Sequence, residues 1–271
     1  MHVTIGMIVL NEEEFLERTL AQHYDLADRI VIVEGADSLY PKERVTPDGL
    51  SIDATAEIVR SFPDPGRKIQ FIQHGWTNRG GEQAKCELRD RYAEVTPDGI
   101  LAVVDADEAY TESAWKAIMA RIESEQAVYA WCYPFVHLWK NASQFITGGY
   151  YDIQHIRFWR WQKGMRYDRN HNFPEWKGQF VQRMGRRVHD RKLIPKDDGH
   201  DLQGPYGHHF GFMKQTQSIR DKTDYYRNRG ECVTRPQTIQ SREAWFQEEL
   251  LLGHTIWKYA GQLPEKFAEL R

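Results

Sequence analysis

The stretch that decides the fold is VTIGMIVLNEEEFLERTLAQHYDLADRIVIVE, residues 3–34. Residues 3–10 are apolar and rich in β-branched side chains, which predicts a buried strand. Asn11 is a suitable helix cap with a glutamate three positions later, so a helix is predicted over residues 12–22. A second strand is predicted at Arg29–Glu34, which completes a strand–helix–strand unit.

The same alternation continues up to residue 122. Helices are predicted over residues 51–62, 81–94 and 111–122, and strands over residues 68–72 and 100–104. The pattern predicts an α/β fold with a mostly parallel, doubly wound sheet and helices on both faces. Ligands of such sheets bind beyond the carboxyl ends of the strands. The polar residues expected there are Asn11, Glu34, Asp105 and Asp107.

Beyond residue 125 the regular alternation stops. Strands are predicted over residues 127–136 and 153–161, and a helical region over residues 240–267. The sequence has no internal repeat and no obvious linker. We therefore expect one domain over residues 1–271.

Composition excludes several classes of protein. The chain has 271 residues, a net charge of −3 and 41% hydrophobic residues, which is typical of a globular protein rather than a disordered one. No apolar run reaches the roughly 20 residues of a membrane helix, and residues 3–10 are too short for a signal sequence. Three widely spaced cysteines offer no disulfide framework. A cytoplasmic protein without a transmembrane segment is therefore expected.

The charge is distributed unevenly. Residues 157–192 contain eleven Lys and Arg against three Asp and Glu, so this segment carries +8. Such a segment is either a solvated basic face or a contact for an anionic ligand, a polyanionic acceptor or a membrane surface.

The stretch with the clearest chemistry is LAVVDADE, residues 101–108. A hydrophobic strand delivers Asp105 and Asp107 into the turn that follows, where both carboxylates can reach one divalent ion. Hard oxygen ligands suit Mg²⁺ or Mn²⁺ carrying a diphosphate. We expect the strand end to be exposed, so that substitution of Asp107 would cost little stability.

Five motifs in the chain occur in the order of a known family. They are IVLNEEEFLERTL (8–20), DRIVIVEGADS (28–38), DGLSIDATAEIV (48–59), VVDADE (103–108) and HFGFMKQTQSIRDKTDYYRNRG (209–230). Together they resemble a family 2 nucleotide-sugar glycosyltransferase of GT-A fold. The resemblance implies a nucleotide-sugar-binding half over residues 1–124 and an acceptor-binding half over residues 125–271 that ends in helices.

The resemblance also implies donor-binding residues. The backbone of Val9 and Asn11 and the side chain of Glu34 would meet the base and ribose. The family runs its second strand directly into D-D-G-S, whereas here residues 35–47 intervene, so Asp48 is an alternative to Glu34. The inserted loop would cover the donor or contact an acceptor.

For the metal, the resemblance assigns Asp107 as a ligand and Asp105 to the ribose or the metal network. His209 would complete the metal shell from the C-terminal side. His208 and the acidic and histidine cluster at residues 197–201 are alternatives to His209.

A diphosphate leaving group needs further positive charge. Lys85 and Arg89 lie one turn apart on a predicted helix and share a face. Lys222, Arg227 and Arg229 follow the H-F-G motif. Any of these five could bind the phosphates.

Inverting transfer also requires a carboxylate that deprotonates the acceptor hydroxyl. Glu175 and Asp168 are the acidic candidates in the acceptor half, where flanking aromatic residues are expected to raise the carboxyl pKa by desolvation. Glu175 is preferred, and Glu108, beside the metal motif, is the rival.

The sequence therefore predicts a metal-dependent transferase that moves a sugar from a nucleotide diphosphate-sugar to an acceptor hydroxyl. The acceptor would be a glycan, a lipid-linked molecule or another hydroxyl compound. A glycosyltransferase acting on modified DNA bases is an alternative because of the basic segment, although the acidic net charge disfavours nucleic acid. A nucleotidyltransferase is a further alternative, disfavoured by the acidic residues at positions 12–14, which would repel a triphosphate.

Overall fold

The structure is a computed structural model. It describes residues 1–148, 155–181, 205–215, 217–219, 221, 225 and 254–271, and the backbone of residues 186–189. Elements are numbered along the chain.

A seven-stranded sheet forms the centre of the described structure. Its strands are β1 (Val3–Val9), β2 (Arg29–Glu34), β3 (Ile69–Gln73), β4 (Gly99–Val103), β6 (Val128–Tyr133), β9 (His155–Trp161) and β12 (Arg186–His189). The strand order is β12-β6-β9-β4-β1-β2-β3. Strands β3, β2, β1 and β4 are mutually parallel, and β9 runs antiparallel between β4 and β6. The predicted mostly parallel sheet is confirmed.

Helices cover both faces of this sheet, as predicted. They are α1 (Leu16–His23), α2 (Thr55–Ser61), α3 (Glu82–Val95) and α4 (Glu112–Ser124). Alternate residues of β1, such as Ile5 and Met7, pack with Leu20 of α1 and Ile118 of α4 in one core cluster. The opposite face packs on α3, where a Cβ at Gly6 would lie 2.8 Å from the ring of Tyr92. Gly6 therefore lets α3 approach the sheet closely.

A second sheet lies beside the first and was not foreseen from the sequence. Its strands are β5 (Glu108–Tyr110), β7 (Phe135–Trp139), β8 (Asn141–Thr147), β13 (Gly207–His209) and β14 (Thr255–Lys258). The order is β14-β8-β7-β13-β5, with β13 antiparallel to β5 and parallel to β7. Because β5 begins directly after the Asp105–Asp107 turn, this sheet brings the H-F-G motif to that turn. A short hairpin, β10 (Glu175–Trp176) and β11 (Gln179–Phe180), completes the strands.

Three local predictions are wrong. Asn11 does not cap α1, because its φ is 52° and the helix begins only at Leu16, after Phe15 at the cap position. The strand predicted over residues 127–136 is two strands, β6 and β7, that belong to different sheets and are separated by Pro134. The helical region predicted over residues 240–267 contains strand β14 instead, while residues 240–253 lie outside the described residues.

Thr111 caps the N-terminus of α4. The Thr111 hydroxyl accepts a hydrogen bond from the Ala114 N–H at 3.1 Å. Within the described ranges, no helix combines the length and apolarity that crossing a membrane requires.

Candidate active site

The turn between β4 and β5 holds the two aspartates of the D-x-D motif. The side chain of Asp105 is 38% exposed, whereas that of Asp107 is only 4% exposed. The expectation that this strand end is exposed is therefore wrong for Asp107. The second sheet covers it, because the backbone N–H of Phe210 donates to the Asp107 carbonyl at 2.8 Å.

Arg157 of β9 holds one side of this turn. Its guanidinium donates to Asp105 Oδ2 at 2.8 Å and also pairs with the carboxylate of Glu108. The other Glu108 oxygen accepts the Asp105 N–H at 3.1 Å. Burial raises the pKa of Glu108 to about 8, although Arg157 opposes that shift. Asp105 and Glu108 thus both contact the buried guanidinium of Arg157.

The other side of the turn faces His209. The distance from His209 Nε2 to Asp107 Oδ1 is 3.8 Å. A Cβ at Gly211 would lie 2.8 Å from both Asp107 Oδ2 and His209 Nε2, and the Gly211 backbone is not left-handed. Glycine is therefore required at position 211 because there is no room for a Cβ, and not because of the backbone conformation. We call the space among Asp107, His209 and Gly211 the cradle.

A second histidine contacts the His209 ring. His137 of β7 is the register partner of His209, and their Nδ1 atoms are 3.2 Å apart. His137 is 9% exposed. Burial lowers the pKa of His137 well below its ordinary value, and His209 shifts it in the same direction. The neighbouring His208 instead contacts the Tyr259 hydroxyl at 2.6 Å, away from the cradle.

A buried lysine joins the cradle to the end of β1. Lys214 is 5% exposed, and its Nζ lies 2.8 Å from Asp107 Oδ2 and pairs with the Glu12 carboxylate. The next residue, Gln215, donates its N–H to Glu14 at 2.8 Å. Since β1 and β4 are adjacent strands, Lys214 places a positive charge between their carboxyl ends.

Glu34 lies at the end of β2, as predicted, but it is completely buried. Its carboxylate accepts hydrogen bonds from the Ser51 N–H at 3.0 Å and from Gln73 Nε2 at 2.8 Å. In this arrangement Glu34 connects the segment that follows the inserted loop to the sheet. Asp48, the alternative, is exposed. Neither observation tests a role in binding the base, which stays a prediction for both.

Asn11 follows β1 and contacts both the inserted loop and the segment after it. Its Nδ2 donates to the Arg44 carbonyl at 2.9 Å, and its Oδ1 accepts the Ile52 N–H at 3.0 Å. Val9 is 2% exposed. The left-handed backbone and side-chain contacts of Asn11 thus connect β1 to the inserted loop.

The two basic residues of α3 have different surroundings. Arg89 is 6% exposed, contacts the His171 carbonyl, and lies with its guanidinium 5.7 Å from the centre of the Tyr167 ring. Lys85 Nζ lies 3.4 Å from Glu82 Oε1. Arg89 therefore holds the segment after β9 against α3. Of the other predicted cations, Lys222, Arg227 and Arg229 lie outside the described residues, as does the cluster at residues 197–201.

Glu175 and Asp168 lie on the segment that follows β9. Both oxygens of Glu175 accept from Arg169, at 2.7 Å each. This bidentate contact lowers the pKa of Glu175. Desolvation does oppose this shift, but the Arg169 contact outweighs it, so the expected net rise of the Glu175 pKa is wrong. Asp168 is exposed.

Four arginines of the basic segment lie among the described residues, and each has a partner within the fold. They contact carboxylates or carbonyl oxygens: Arg157 with Asp105 and Glu108, Arg160 with Val128 and Ile122, Arg166 with Asp90 and Glu94, and Arg169 with Glu175. The carboxylates offset the charge of Arg157, Arg166 and Arg169, so these three arginines give no support to a nucleic-acid acceptor.

Sequence reasoning missed three residues of the site: His137, Arg157 and Lys214. A signal existed for Arg157, since an arginine inside an apolar strand must find an acidic partner when it is buried. His137 also lies inside an apolar strand, and only the pairing of β7 with β13 shows its role. Lys214 directly follows the H-F-G motif, but its contact with Glu12 spans two hundred residues of chain.

The described structure therefore combines a mostly parallel sheet, which carries acidic residues at its carboxyl edge, with a histidine that faces them from a second sheet. Residues 4–193 match the family described as "Glycosyl transferase family 2". That match covers more than half of the chain, and the protein belongs to this family.

The chain is also similar to solved structures over about half of its length. TarS of S. aureus, in complex with UDP-GlcNAc, matches with a TM-score of 0.35 and 15% identity over 52% of this chain and 35% of that chain. Glucosyl-3-phosphoglycerate synthase of Mycobacterium tuberculosis, with Mn²⁺, UDP and phosphoglyceric acid, matches with a TM-score of 0.36 and 11% identity. That match covers 50% of this chain and 43% of the synthase, so this chain spans less than two thirds of either structure. No curated protein matches the chain.

Proposed function

We propose that the protein transfers a sugar from a nucleoside diphosphate-sugar to an acceptor hydroxyl with the help of a divalent cation at the cradle. The observation that carries this proposal is the space that Gly211 leaves between Asp107 and His209. A carboxylate and an imidazole converge there without a side chain between them.

The donor set fits a small divalent ion. Two ligand atoms that each lie about 2.1 Å from one ion can be at most about 4.2 Å apart. The 3.8 Å between Asp107 Oδ1 and His209 Nε2 satisfies this limit. Among the described residues, no group of three or more acidic, histidine or cysteine side chains could hold a metal ion. One carboxylate and one imidazole therefore suit a cation such as Mn²⁺ or Mg²⁺ whose remaining positions go to water and substrate phosphates.

Chemistry at this site would centre on the leaving diphosphate. When bound, the cation supplies Lewis-acid stabilisation of that group. Lys214 adds a fixed positive charge beside Asp107, in a region where burial strengthens its electrostatic effect. Arg157 positions Asp105 through its 2.8 Å contact. The side chain of Asp105 is 38% exposed. Asp105 is thereby available to the ribose or the metal network.

The acceptor hydroxyl also needs a base, and the transfer is proposed to proceed with inversion. Three carboxylates stay candidates for this base, and their surroundings differ. Arg169 lowers the pKa of Glu175, which weakens Glu175 as a base. Glu108 is buried against Arg157, whereas Asp168 is exposed to solvent. A turnover assay on Glu175→Gln, Asp168→Asn and Glu108→Gln would identify the base, because loss of a base costs about 10² to 10⁴ in rate.

Thermal-shift measurements with UDP, GDP and CDP, each with and without Mn²⁺, test which nucleotide the protein binds. We expect one of the three to stabilise the protein, and Mn²⁺ to increase that stabilisation. The same nucleotide should lose its Mn²⁺ dependence in His209→Ala. Equal stabilisation with and without Mn²⁺ in the wild-type protein would contradict the proposed role of the cation.

A further inference from the structure

His137 contacts the proposed metal ligand from the side opposite the cradle. It lies on β7 directly opposite His209 of β13. The ring centres are 4.9 Å apart and the ring planes meet at 67°. The ring of Phe212 packs edge-on against both, at 5.0 Å from His209 and 5.9 Å from His137. The orientation of the two imidazoles is therefore set by packing as well as by hydrogen bonding.

The contact between the two rings constrains where their protons lie. Their Nδ1 atoms are 3.2 Å apart, which is a hydrogen-bond distance. Such a bond needs one N–H and one lone pair, so one ring donates and the other accepts. If His137 donates, the proton of a neutral His209 lies on Nε2. If His209 donates, Nε2 carries the lone pair.

Only the second arrangement suits a metal ligand. Nε2 of His209 faces Asp107 Oδ1 at 3.8 Å and the space beside Gly211. A ligating histidine nearly always donates its other ring N–H to an acceptor, and this fixes its tautomer and orientation. The Nδ1 of His137 is placed to be that acceptor.

We propose that His137 is a positioning residue that accepts the Nδ1–H of His209 and so directs the Nε2 lone pair of His209 into the cradle. The inference rests on the proposed function, since it takes His209 as a metal ligand. The inference adds His137 to the proposed site as a residue that would contact neither the metal nor the substrate. Its effect is therefore expected in metal affinity rather than in nucleotide recognition.

Two substitutions separate hydrogen bonding from packing. His137→Asn keeps an acceptor oxygen close to the position of Nδ1, whereas His137→Phe keeps a ring but removes the acceptor. We expect Mn²⁺ affinity, measured by calorimetry, to fall about 10- to 100-fold in His137→Phe and to recover in His137→Asn. Wild-type affinity in His137→Phe, or an equal loss in both variants, would overturn the proposal. Thermal unfolding of each variant shows whether it is folded.

The tautomer can also be read without any substitution. Long-range ¹H–¹⁵N spectra of the histidine rings, recorded with Mg²⁺ and the stabilising nucleotide, distinguish Nδ1–H from Nε2–H. We expect His209 to carry its proton on Nδ1 and His137 on Nε2. A proton on Nε2 of His209 under these conditions would refute the proposal even if the variants failed to fold.

A control separates this inference from the proposed function. His209→Ala and Asp107→Asn are measured beside the His137 variants. If both bind Mn²⁺ as the wild-type protein does, the cation is not at the cradle and both proposals fail. If both lose Mn²⁺ while His137→Phe retains it, only the role of His137 is wrong.

Discussion

Two of the glutamate–arginine pairs in the described structure, one in the turn region and one in the β10–β11 hairpin, differ in burial. In the turn region, Glu108 and Arg157 have side chains only 3% and 7% exposed. In the β10–β11 hairpin, Glu175 is 8% exposed but Arg169 is 57% exposed. Burial raises the pKa of Glu108, whereas the Arg169 contact lowers that of Glu175. The same pair of residue types thus produces opposite shifts, because water reaches one pair and not the other.

The largest effect is expected from breaking the buried pair. Glu108→Gln replaces one of the two buried oxygens that accept from Arg157 and from the Asp105 N–H with an NH2 group, which cannot accept a hydrogen bond. A buried donor left without an acceptor costs about 1 to 3 kcal/mol, so we expect the free energy of unfolding to fall by about 2 kcal/mol. Urea denaturation measures this loss.

A matched control uses an exposed pair. Glu94 lies 3.4 Å from Arg91 and from Arg166, with its side chain 44% exposed. Glu94→Gln should change the free energy of unfolding by less than about 0.5 kcal/mol. Equal losses in Glu94→Gln and Glu108→Gln would show that burial of the Arg157 pair does not matter.

The next effect tests whether the turn region binds a cation. Asp107→Asn preserves the shape of the side chain but removes the negative charge that Lys214 contacts and that the proposed cation would need. Loss of an outer-shell partner costs 10- to 100-fold in metal affinity, so loss of a ligand should exceed about 100-fold. Calorimetry with Mn²⁺ and the stabilising nucleotide measures it. Unchanged affinity would remove Asp107 from the site.

A smaller effect is expected when the cradle is partly filled, which tests whether this space holds the cation. Gly211→Ala places a methyl group 2.8 Å from Asp107 Oδ2 and His209 Nε2, so both side chains must move by a few tenths of an ångström. We expect Mn²⁺ affinity to fall by about tenfold, the lower end of the outer-shell range. Gly66→Ala is the control, because its Cβ would lie no closer than 3.1 Å to its nearest neighbours, the Tyr24 hydroxyl and the Lys68 side chain. The same affinity in both variants would show that the cradle is not the metal site.

The sequence predicted the local part of this arrangement. Strands β1 to β4 lie within a residue of their predicted ends, because each is a short apolar run between polar residues. Asp105 and Asp107 were found for the same reason. The left-handed backbone of Asn11 was missed, because its side chain bonds to Arg44 and Ile52 rather than to the helix.

The remainder of the site depends on pairing between distant segments. Strand β13 must lie between β5 and β7 before His209 can reach either Asp107 or His137. No periodicity within residues 207–209 contains that information. The sequence therefore predicted which residue types the site needs more successfully than which neighbours they have.

The smallest effect is expected from Glu175→Gln. Both oxygens of Glu175 bind Arg169, which lowers its pKa, and a carboxylate held in this way is a weak base. We expect turnover to fall by less than about tenfold, well below the 10² to 10⁴ that loss of a base costs. The depressed pKa means that the pair stabilises the fold at neutral pH and that this contribution disappears as the pH falls through the pKa of folded Glu175. The stability difference between wild type and Glu175→Gln should therefore shrink on acidification. A loss of 10² or more in turnover, with unchanged nucleotide affinity, would instead make Glu175 the base.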